Sequence, residues 1–136
     1  MSDYKKLDVW EYAHALVLNV HGAAKEIRGA EVLSLKSQMT RAAMSIPTNL
    51  VEGCGQQSAR EFGRFIKISL NSASELEYQL LLARDLDALR EEAYRSLTDQ
   101  TVRVRKMLYG LLKSLSRQPS KPPTTIDGPE PTTRNP

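Results

Sequence analysis

A single cysteine, Cys54, stands in the 136 residues, so no intrachain disulfide can staple the fold. Aromatic residues make up only 6%, which leaves aliphatic side chains to fill the core. No apolar run nears the roughly 18 residues that span a bilayer. The opening residues, MSDYKKLDVWEY, also lack the apolar stretch of a secretory signal. These absences lead us to expect a reduced, cytoplasmic protein with no membrane partner. Period-two alternation is missing as well, so no strand is predicted.

Proline is scarce until the end of the chain. Six of the seven prolines lie beyond Gln118, among polar residues and one aliphatic side chain, Ile126. Such a segment buries too little apolar surface to offset its ordering entropy. Residues 118–136 are therefore expected to be a disordered tail, and 3–117 a single folded domain. The formal charge is +3. Within the tail Lys121 and Arg134 balance Asp127 and Glu130, so the excess falls on the folded part. That bias alone does not establish a nucleic-acid partner.

The remaining text is helical in period. Val9, Ala13, Leu16, Val20 and Ile27 share one face of a helix over 8–27. Leu35, Met39, Ala42, Ile46, Leu50 and Gly53 do so over 32–54, and the glycines of GCG then stop it. Ser58 and Glu61 form a capping box that opens a third helix, which continues to Asp85. In the fourth, over 90–115, Tyr94, Leu97, Thr101, Val104, Leu108, Leu111 and Leu115 alternate steps of three and four, a heptad seam. Short connections make consecutive helices antiparallel, which predicts an all-α, up-down-up-down four-helix bundle.

Pro47 is the exception to the regular pattern, since it removes an amide donor and crowds the carbonyl of Ala43. Ending the helix there would leave a second piece too short to stand alone. A kinked but continuous helix is expected, with the Ala43 carbonyl seeking another partner. Around it Gln38, Arg41, Ser45, Asn49 and Glu52 follow helical steps along one stripe. The next helix carries Ser69, Asn71, Ser72, Ser74 and Glu75. These residues read either as two solvated faces or as a polar network at a helix–helix or subunit contact. In the second case hydroxyls would reach carbonyls freed by the proline. Periodicity does not choose between the two.

Catalytic and metal-binding patterns are not found. His14 and His21 lie seven apart with Glu11 nearby, but the metal motif of bundles is Glu-x-x-His on paired helices. Cys54 has no partner histidine and reads as a small buried or half-buried residue. GCG follows no strand and is too short to cradle phosphate. Ser58 is explained by capping. No enzyme and no cofactor are expected. The basic residues are more informative. Glu91, Glu92 and Asp99 come early in the fourth helix, and Arg103, Arg105, Lys106, Lys113 and Arg117 come late, as the helix dipole favours. The third helix does the reverse: Arg60, Arg64 and Lys67 stripe its first turns while Glu75, Glu77 and Asp85 come later, the capping Glu61 being the exception. A charge placed against the dipole costs about 0.3 kcal/mol or more, so the stripe points to an anion site or an intersubunit ion pair.

The segments LDVWEYAHAL, QMTRAAMSIPTNLVEGCGQQSAREFGRFI and SASELEYQLLLARDL resemble the four-helix-bundle family encoded in intervening sequences of bacterial 23S rRNA genes. The resemblance covers residues 4–115. It implies an antiparallel bundle and a homo-oligomer, a pentamer in which five bundles form a barrel. Arg41, Ser45, Pro47, Asn49, Glu52, Ser72 and Glu75 match the family pattern and would be its structural or interface positions. A relative is the accessory protein of diversity-generating retroelements, a basic barrel that binds nucleic acid and a reverse transcriptase. The chain departs from the pattern at Thr40, where a second arginine is common, and at Arg90, where a serine or threonine usually caps the helix. Two functions follow. One is an oligomer that binds RNA or DNA through Arg60, Arg64 and Lys67. The other is an adaptor that presents the bundle to a protein partner, reverse-transcriptase-like or other, without binding nucleic acid.

Overall fold

The structure, a computed structural model, describes residues 3–117. The tail expected over 118–136 lies outside the described residues. Four α-helices carry the fold: α1 (Asp8–Ala24), α2 (Leu33–Cys54), α3 (Ala59–Asp85) and α4 (Glu91–Ser116). Short 3-10 turns at Tyr4–Lys6 and Ala30–Val32 precede α1 and α2. No strand occurs among the described residues, and none of their helices is long and apolar enough to cross a membrane.

Each helix packs against its chain neighbours, and α1 closes the ring on α4. Cross-helix pairs show the antiparallel sense: Ser45 meets Ser72, whereas Ile46 meets Ser69. Likewise Glu77 reaches Arg105, whereas Arg84 lies over Tyr94. The core is aliphatic, with Leu16, Met39, Ile46, Leu50, Ile66, Leu76, Leu80 and Leu108 fully buried. The α4 seam packs as its heptads require: Leu97, Thr101, Val104 and Leu108 are buried, and Tyr94, Leu111 and Leu115 are half-buried.

One boundary differs from the sequence reading by more than a residue. The apolar period of the first helix extends to Ile27, yet α1 ends at Ala24. Lys25 through Ile27 turn with tighter bonds, Glu26 N–H to Ala23 O and Ile27 N–H to Ala24 O. Ile27 is nonetheless buried; its position in the period reflects a core contact made from a turn. Gly29, at φ 116°, takes a backbone conformation that side chains disfavour and redirects the chain into α2.

At the start of α3 only half of the capping box forms. The Ser58 hydroxyl accepts the Glu61 amide at 3.1 Å. The Glu61 carboxylate takes Arg64 Nε at 3.1 Å instead of reaching back. Arg90, at the N-cap of α4, makes no side-chain cap bond, in keeping with the unusual residue type there.

Candidate functional site

α2 runs without interruption through Pro47, which is buried. Around it the α2–α3 contact holds a small polar knot. Ser45 and Ser72 share a hydroxyl–hydroxyl bond of 2.7 Å. The Asn49 amide donates to the Ser45 carbonyl at 2.8 Å and to its hydroxyl at 3.0 Å. One turn away the buried Ser69 hydroxyl donates to Ile46 O at 2.9 Å. The hydroxyl therefore reaches the carbonyl just before the proline, and not that of Ala43 as anticipated. A serine lying opposite Ile46 has that oxygen within reach, because a carbonyl has a second lone pair to offer.

The rest of the stripe points elsewhere. Arg41 and Glu52 on α2 and Glu75 on α3 are exposed. Gln38 bonds Ser34 within its own helix. Both readings of the stripe thus apply, each to different residues: its middle joins two helices, and its ends face outward.

Close approach at the end of α2 depends on Gly53. A Cβ there would lie 2.7 Å from Phe62 Cδ1 and 3.1 Å from Phe65 Cβ. The neighbouring Cys54 is buried, and burial, reinforced by the Asp3 carboxylate, pushes its thiol pKa up. Such a thiol is a packing residue and a poor nucleophile. His14 stacks on Trp10 with ring centroids 5.0 Å apart, and His21 borders a groove between α1 and α2. Among the described residues no three His, Cys, Asp or Glu side chains gather as metal ligands would.

The basic stripe of α3 opens onto a groove. Arg60, Arg64 and Lys67 line a cleft of about 820 Å³ between the start of α3 and the end of α4. Its floor is apolar, from Gly63, Leu112 and Leu115, and Glu61 is the one acidic side chain among the described residues that line it. Arg64 is held by Glu61 and lies over the Phe65 ring, 4.6 Å from its centroid. With 59% and 45% of the two side chains exposed, that ion pair is worth about 0.5 kcal/mol. An incoming anion can displace it. The late basic residues of α4 divide. Arg105 pairs with Glu77 and Arg103 lies over Tyr12, so both serve the bundle. Lys106, Lys113 and Arg117 are exposed.

The floor is not legible in the sequence period. Leu115 reads as a residue of the seam, and Gly63 and Leu112 carry no signal of their own. The antiparallel register of α3 and α4, which sets the first turns of one against the last of the other, is the signal that could have found them.

A sequence profile of the 23S rRNA-intervening sequence protein family matches residues 5–110. The chain belongs to this family. The chain also has a neighbour among solved structures. This is the crystal structure of a protein of unknown function from the S23 ribosomal protein family of Bacteroides thetaiotaomicron. It superposes with a TM-score of 0.72 at 24% identity, covering 77% of this chain and 98% of the other. At that identity it shows that the two share a fold. No curated protein matches the chain.

Proposed function

We propose that this protein is a non-enzymatic homo-oligomer that binds RNA or DNA through the α3–α4 groove. The observation that carries the reading is the meeting of Arg60, Arg64 and Lys67 along one open cleft. Such a surface holds the phosphate backbone and does not read bases, so little sequence preference is expected. No hydroxyl of the polar knot bonds a histidine; the serines bond one another, Asn49 and main chain. That supports a binding role over a catalytic one.

Self-association is favoured by exposed Arg41, Glu52 and Glu75, and by Leu33 and Met44, which are 62% and 55% exposed on α2. The number five comes from the family resemblance. Five copies of the groove would present about fifteen cations in a ring, and each phosphate neutralised releases counterions.

The test is fluorescence anisotropy with a labelled U20 RNA and dT20 DNA across a salt series, beside light scattering. Binding should weaken steeply with salt, and R60E/R64E/K67E should abolish it with helix content and mass unchanged. Equal binding by the triple variant would reduce the stripe to a solvated face, and a monomer mass at micromolar concentration would end the oligomer reading. If the parent bound neither nucleic acid at low salt, the adaptor reading would stand. The apolar groove between α1 and α2, bordered by Leu33 and Met44, is what favours that second reading.

A further inference from the structure

We infer that the basic groove is also the docking site of the chain's own C-terminal segment, which competes there with nucleic acid. The inference concerns the groove on which the nucleic-acid reading rests, and three observations support it. The first is position: Leu115 and Ser116 line the cleft, and the C-terminal segment begins two residues later. The nine residue-to-residue steps from Arg117 to Ile126 can reach about 28 Å, more than enough to return.

The second is charge. Among the described residues, Arg60, Arg64 and Lys67 line the groove with one carboxylate, Glu61. The acids of the C-terminal segment are concentrated in TIDGPE, where Asp127 and Glu130 stand three apart, with Lys121 and Arg134 outside them. Three residues of chain between those acids span at most about 10 Å. The cations from Arg60 to Lys67 cover about 10 Å of α3.

The third is polarity. The floor of Gly63, Leu112 and Leu115 is apolar, and Ile126, beside Asp127, is the only aliphatic side chain beyond Gln118. A tethered ligand acts at an effective concentration on the order of millimolar, so a weak contact suffices to occupy the site. Nucleic acid would then have to displace the acids, and only a multivalent polyanion does so readily.

The experiment uses the full chain with T125C carrying a nitroxide, since native Cys54 is buried. Amide signals of Gly63, Lys67 and Leu115 should broaden, and D127N/E130Q in the labelled chain should restore them. No broadening overturns the inference. So does broadening of an isotope-labelled chain by a spin-labelled neighbour alone, which would assign the groove to a second copy. In parallel, D127N/E130Q without the label should bind fluorescent U20 roughly five- to tenfold more tightly than the parent. If both bind U20 equally, competition is refuted. Broadening with no U20 binding by either protein keeps the docked segment and removes the nucleic-acid reading.

Discussion

The Ser69 hydroxyl donates to the carbonyl of Ile46 at 2.9 Å, joining α3 to the peptide that immediately precedes Pro47. Both residues are fully buried, so water cannot replace the bond. Ser69→Ala should cost about 1 kcal/mol, the usual net worth of a hydrogen bond. Ser74→Ala, exposed on the same helix, should stay within about 0.5 kcal/mol. Urea denaturation of the two variants compares them directly.

Two glycines should respond with opposite signs. Helical Gly→Ala ordinarily gains up to about 1 kcal/mol, and Gly110 has nothing within 4 Å of an added Cβ. Gly110→Ala should therefore raise the melting temperature. At Gly53 the same methyl would press on Phe62 and Phe65. Overpacking of that kind costs about 1–3 kcal/mol, so Gly53→Ala should lower it.

Pro47→Ala restores an amide donor opposite the Ala43 carbonyl while α2 is already continuous. Helix content by circular dichroism should be unchanged. A crystal structure should show a changed angle between 33–46 and 48–54, with the Ser45–Ser72 distance altered from 2.7 Å. An unmoved helix would show that packing by α3, and not the proline, sets the course of α2.

Burial raises the Cys54 thiol pKa, with the Asp3 carboxylate adding to the effect. The folded chain then keeps its proton to higher pH than the unfolded chain. Its stability should fall as pH rises from the ordinary thiol value of about 8.5 toward the folded value. Cys54→Ala removes that component, so the difference between parent and variant should shrink across pH 8 to 10. A constant difference would show that the thiol titrates alike in both states.

Elements were more legible than contacts. The α4 seam could be read because its three-and-four spacing is a property of one helix. The Ser58 cap could be read because both partners lie in four residues. Ile27 misled because a buried side chain keeps the helical period even where the backbone has already turned. The knot was half legible: the spacing of Ser45 and Asn49 placed them on one stripe, but their pairing with Ser72 depends on the register between α2 and α3. The groove required most of all, since Leu112 and Arg60 come from helices about fifty residues apart in the chain and meet only when the bundle closes.

The compactness of the α2–α3 hairpin bears on how the chain finds its fold. Ser45 and Ser72 close a separation of 27 residues, whereas Asn19 and Gln100, bonded across α1 and α4, close one of 81. Closing the longer loop first costs about 1 kcal/mol more in chain entropy. The hairpin, joined by a short connection from Gly55 to Ser58, is thus the cheaper place for a folding nucleus to start. Destabilising substitutions at Ile46 or Ser69 should then slow folding, while those at Asn19 or Gln100 should chiefly speed unfolding.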